Sequence, residues 1–84
     1  MRGPTVNQLV TSFQKNKFEE VRVHVKEFKG YDLLDIRVYT STKDKPEEMI
    51  PTGKGLSLNV SHFPDLKKAI LELETVLKEN KFLE

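Results

Sequence analysis

Between Val21 and Tyr39 the chain reads VRVHVKEFKGYDLLDIRVY, two alternating runs of apolar and polar residues hinged on Lys29-Gly30. Period-2 alternation rich in β-branched and aromatic residues predicts strands, and a glycine between the runs supplies a turn position where a side chain would clash, so a β-hairpin is expected. Placing Lys29-Gly30 at the tip sets the register by counting. Val25, Val23 and Val21 then face Leu34, Ile36 and Val38 on an entirely apolar face. The opposite face pairs Phe28 with Tyr31, Lys26 with Leu33, His24 with Asp35, Arg22 with Arg37 and Glu20 with Tyr39. A one-residue slip would send every valine to solvent, so burial specifies this register strongly.

On either side of the hairpin the pattern is less decisive. Val6, Leu9, Val10 and Phe13 fall at helical spacing behind a Thr5-x-x-Gln8 capping-box pattern, which predicts a short helix within an N-terminal lead-in, residues 1–12. The rival is a disordered lead-in to a first strand around Ser12 to Lys15, with Lys15-Asn16-Lys17 as the turn into the hairpin. Thr40 to Ile50 is polar, charged and interrupted by Pro46, which predicts an exposed loop. In GKGLSLN, residues 53–59, Leu56 and Leu58 alternate with Ser57 and Asn59 as a further strand, and Gly53 and Gly55 suggest a bulge or the close approach of another backbone. Phe63, Leu66, Ile70, Leu73 and Leu77, widened by Val76, form one stripe of a final helix expected to cover the valine face. Asn59 and Ser61 both suit its N-cap, and Pro64 favours Ser61, which would put the proline at the third helical position.

Composition adds a constraint on burial. With 84 residues, 37% hydrophobic and 32% charged, the chain is one domain with a thin core, and a second copy is the simplest way to complete it. The absence of cysteine removes disulfides and thiolate chemistry and points to an intracellular chain. No apolar run approaches a membrane span and no signal-peptide core opens the sequence, so no membrane partner is expected. The net charge of +1 is unevenly spread: residues 1–30 carry six Lys or Arg against three acids, and each later third is −1. The excess of cations thus sits where the hairpin begins.

Candidate chemistry is sparse. His24 opposite Asp35 resembles an acid/base pair but has no nucleophile in register, so a polar cross-strand contact is the simpler reading. Thr52-Gly53-Lys54-Gly55 lacks the spacing and following helix of a nucleotide P-loop, leaving Lys54 as a candidate phosphate contact or a lysine in a β-bend. His62 and Asp65 are too few for a metal site. No turnover chemistry and no cofactor are expected. Arg22 facing Arg37 is the most informative pair, because like charges directly opposite are destabilising unless they splay into water or hold an anion; removing Arg37 would then cost no stability. With Lys26, Lys29, Phe28, Tyr31 and Tyr39 this face combines cations for phosphates with rings for bases, as single-stranded nucleic acid requires; the alternative is a plain solvated face.

The run VRVHVKEFKGYDLLDIRVY, followed by GKGLSLN and a helix opening HFPDLKKAI, resembles the single-stranded-DNA-binding domain of the transcriptional coactivator PC4 (p15) family, over Phe13 to Leu77. The resemblance implies an α+β domain over 13–80, a curved four-stranded antiparallel sheet followed by a C-terminal helix, with 81–84 as a tail, and a homodimer. It also implies single-stranded DNA as partner, RNA being left open, and a role in transcription or DNA maintenance alongside the transcription machinery. Phe28 matches the family's stacking aromatic, Lys29 its neighbouring lysine, Arg37 the arginine of the IDIR run and Lys54 the lysine before the glycine. With Arg22, Lys26 and Tyr39 from the same face, these seven residues are the expected interface. Two family residues are replaced, an aromatic by Thr40 and an arginine by Gly53, which reduces stacking and charge. The alternative function is a dimeric protein-interaction module docking another factor through loop 40–50.

Overall fold

A computed structural model describes residues 7–84. Four strands form one antiparallel sheet in sequential order: β1 (Asn7–Gln14), β2 (Glu19–Phe28), β3 (Tyr31–Ser41) and β4 (Met49–Asn59). A 3-10 turn (Val60–His62) leads into the single helix α1 (Phe63–Glu79). The β2–β3 register is the one expected by counting, from Phe28 opposite Tyr31 through Arg22 opposite Arg37 to Glu20 opposite Tyr39. Its tip is a two-residue turn with both central residues at positive φ, Lys29 at 51° and Gly30 at 84°, the geometry whose twist matches that of the flanking strands. The Glu27 carboxylate accepts from the Gly30 N–H at 2.8 Å and closes it.

Three expected element boundaries need correction. The lead-in at 1–6 lies outside the described residues, but from Asn7 onward the chain is strand, not helix, and β1 begins five residues before Ser12. The misleading feature is the adjacency of Leu9 and Val10, which breaks period 2. The strand accommodates it with a bulge between Leu9 and Thr11, after which Phe13 opposes Val21. At the far side, β3 runs on to Ser41 and β4 starts at Met49, so the loop expected over 40–50 is shorter. Finally, Asn59 caps the 3-10 turn by accepting from the Ser61 N–H at 2.9 Å, α1 starts only at Phe63, and Pro64 falls in its first turn. The expected Lys15-Asn16-Lys17 turn is present, held by the Asn16 side-chain oxygen, which accepts from the N–H groups of Phe18 and Glu19.

The helix stripe was expected to lie over the valine face, and it reaches only the edge of it. Phe63 and Leu66 join Val10, Val23, Val25, Leu34, Ile36 and Val60 around an apolar cleft of about 470 Å³. Beyond Leu66 the helix projects from the sheet, leaving Ile70, Leu73 and Val76 about half exposed. Leu34 is the one buried hydrophobic side chain among the described residues, and the molecule measures 43 × 43 × 18 Å. This is a single layer with an apolar cleft, not two layers closed around a core. Among the described residues no helix is long and apolar enough to cross a membrane.

Candidate nucleic-acid interface

The polar face of β2 and β3 is organised by a residue that sequence reasoning valued least. Asp35 is 1% exposed and is the fully buried charged side chain of the described chain. Arg37, two residues along the same strand and therefore on the same face, chelates it: Nη2 donates to Oδ1 at 2.9 Å and Nε to Oδ2 at 3.2 Å. Ser57, directly opposite Asp35 on β4, donates its hydroxyl to the same carboxylate. Arg37 Nη1 donates to the Thr52 carbonyl at 2.9 Å, so the guanidinium also ties β3 to β4. Burial opposes ionisation of Asp35, but hydrogen bonds from Arg37 and Ser57, with the charges of Lys26 and Arg37, outweigh it and hold the carboxyl below its usual value. The same bond to Asp35 outweighs burial and raises Arg37.

The Arg22–Arg37 opposition is therefore resolved differently from either alternative read in the sequence. Neither arginine splays freely and no shared anion is needed, because each has its own carboxylate two residues back: Asp35 for Arg37 and Glu20 for Arg22. Arg22 also lies 4.6 Å from the centroid of the Tyr39 ring, and His24 packs on the same ring at 5.9 Å. His24 thus serves Tyr39, while Asp35 is taken by Arg37 and Ser57. The middle of the face is a packed plate of Arg22, Tyr39, His24, Asp35 and Arg37.

The exposed groups stand at its margins. At the hairpin tip Phe28 is 56% exposed, with Lys29 Nζ 5.3 Å from its ring centroid, and Tyr31 stands exposed opposite. Lys26 is half-buried on β2, close enough to Asp35 to act on its charge. Lys54 is exposed on a bulge in β4, where Gly55 opposes Arg37 and the next pair is Pro51 with Tyr39. Thr52 fixes that bulge: its hydroxyl donates to the Val38 carbonyl at 2.8 Å and accepts from the Lys54 N–H at 3.1 Å. Gly55 is required by the close approach foreseen in the sequence, since a Cβ there would stand 2.5 Å from the Ile36 carbonyl oxygen and 2.8 Å from Arg37 Cα.

Six of the seven expected residues are thus on or beside one sheet surface, divided between a packed centre (Arg22, Arg37, Tyr39) and an open margin (Phe28, Lys29), with Lys26 between. Lys54 instead borders a cleft with Val21, Ile36, Val38 and Leu56 of the valine face and acts on the charge of Glu19. Asp35, Ser57 and Thr52 were missed as supports. The Asp-x-Arg spacing signals the first, because i and i+2 share a face of a strand. The β4 partners could not be counted across a bulge.

The chain resembles solved structures over most of its length. BPSL1147, a PC4 homolog from Burkholderia pseudomallei, superposes with a TM-score of 0.71 at 18% identity, covering 81% of this chain and 89% of that one. The bacteriophage T5 homolog of the eukaryotic transcription coactivator PC4 gives 0.59 at 21% identity, covering 92% and 81%. MoSub1, solved in complex with DNA, gives 0.62 at 27% identity, covering 88% and 84%. A family model described as Transcriptional Coactivator p15 (PC4) matches residues 15–69, which span β2, β3, β4 and the start of α1. The chain therefore belongs to the PC4 (p15) family of transcriptional coactivators.

Proposed function

We propose that this protein binds single-stranded DNA as a homodimer, in transcription regulation or DNA maintenance. The observation that carries the reading is the exposed Phe28–Lys29 pair at the margin of the packed polar plate. A ring open to solvent can stack on a base that a duplex keeps hidden, and cations flanking the plate follow the phosphates. MoSub1, 27% identical, was solved with DNA, which supports the same ligand class here.

Arg37 acts in this reading as a support. Most of its donors are spent on Asp35, Ser57 and Thr52, and it ties β3 to β4 within the plate. Phe28 and Lys29 make the direct contacts, with Lys26, Arg22 and Tyr39 lining the path and Lys54 standing at the β4 bulge as a cation beside it.

Fluorescence anisotropy with single-stranded DNA, duplex DNA and RNA of matched length, at two salt concentrations, tests the proposal. Four to six neutralised phosphates give a log–log salt slope of roughly −3 to −4 with a single strand. Duplex binding equal to or tighter than single-strand binding at both salts refutes it.

A further inference from the structure

The end of β2 away from the hairpin tip carries a second ring and lysine that the interface above does not use. Phe18 is 63% exposed, and Lys17 Nζ lies 5.7 Å from its ring centroid, the same adjacent lysine–phenylalanine arrangement as Lys29 on Phe28. The Ser41 N–H donates to the Phe18 carbonyl at 3.4 Å, so the β2–β3 ladder continues one pair past Glu19 and Thr40. Phe18 is therefore in step with Glu20, Arg22, His24, Lys26 and Phe28, on the polar side of the sheet. It forms one wall of a cleft of about 370 Å³ with Ser41, Thr42, Lys43 and Pro46. Neither Lys17 nor Lys43 is paired with a carboxylate among the described residues, in contrast to Lys15 and Lys45.

We infer that Phe18 and its cleft form a second nucleotide site, in which an unpaired base stacks on the ring while Lys17 and Lys43 meet the flanking phosphates. The occupant is the same strand that Phe28 engages, so the inference rests on the single-stranded-DNA reading. Ten residues separate the two rings, about 33 Å at the rise of a strand. One continuous oligonucleotide running across the plate joins the two sites, and the footprint is set by that separation.

Oligothymidylates of about 4 and about 16 nucleotides, bracketing the usual site sizes on single-strand-binding surfaces, separate the two sites. The short strand cannot bridge both rings and the long one can. Phe18→Ala should weaken the long oligonucleotide by about 5- to 150-fold and the short one by less than about twofold, with an unchanged melting temperature. Phe18→Tyr keeps a stacking ring and should restore the long-strand affinity. Lys43→Ala should shallow the salt slope by about 0.7 with the long strand alone. Unchanged long-strand binding by Phe18→Ala, or equal losses at both lengths, overturns the second site while leaving Phe28 as the contact. Wild-type protein that binds neither oligonucleotide overturns the single-strand reading itself.

Discussion

Asp35 is buried as a charge and compensated by one bidentate arginine and one hydroxyl, so its partners are coupled in their effects. Removing Arg37 leaves the carboxylate with the Ser57 hydroxyl and the nearby charge of Lys26, and breaking a buried pair in this way costs about 3–5 kcal/mol; the partial exposure of Arg37 puts the expected loss at the low end. Arg37→Ala should thus lower the urea midpoint clearly, against the sequence expectation that removing Arg37 costs no stability, and unchanged stability would show the pair to be idle. The pH dependence follows from the same group. Because the folded Asp35 titrates below its unfolded value of about 3.9, its contribution is complete above that value and is lost as pH falls through the lowered folded one. Urea midpoints from pH 7 to pH 3 should therefore fall in the wild type, and Asp35→Asn should start less stable and flatten that acid limb.

At the scale of elements, the β3–β4 seam is where sequence and structure part. The hairpin was legible because its two strands are regular and a two-residue turn leaves a single register open. β4 was legible over residues 53–59, its glycines marking the bulge, while its start at Met49 was not, because the bulge interrupts the counting. The first strand was obscured in the same way by its own bulge at Leu9–Thr11, whose paired apolar residues imitate a helix. The site was legible as a set of residue types on one face. That Arg37 and Asp35 are also tied to Thr52 and Ser57 was not, because this depends on contacts to β4 that no pattern within β3 encodes. The two glycines of the seam make a sharp comparison. Gly55→Ala drives a Cβ into the β3 backbone and should cost about 1–3 kcal/mol, whereas Gly53→Ala meets nothing within 4 Å and should be close to neutral in thermal melts. Equal effects at the two positions would show that the close approach does not matter.

The whole molecule exposes more surface than a compact monomer of its size. Its 6948 Å² compares with about 5,100 Å² for a compact monomer of 9.7 kDa, and its radius of gyration of 15.6 Å with about 12 Å. The excess, about 1,800 Å² on one chain, is about twice the ~800 Å² that each partner gives to a standard interface and matches the size of an obligate homodimer's. It is apolar where it matters, in the open cleft beside Leu34 and along the unpartnered stripe of Ile70, Leu73 and Val76. Sedimentation at tens of micromolar should find a dimer, and Leu73→Asp should give a monomer that melts earlier; a wild-type monomer would refute the dimer proposal.

The alternation along β2 assigns successive residues to opposite faces, Val21, Val23 and Val25 to the apolar one and Arg22, His24 and Lys26 to the polar one. Damage to one face need not touch the other. In a dimer held through its apolar surfaces, a copy with a ruined polar face still finds a partner and occupies it. Produced beside the intact chain, such a copy would draw good subunits into half-competent pairs, so a loss of DNA contact would behave as dominant in a cell, while a loss of the apolar stripe, which cannot pair at all, would behave as recessive.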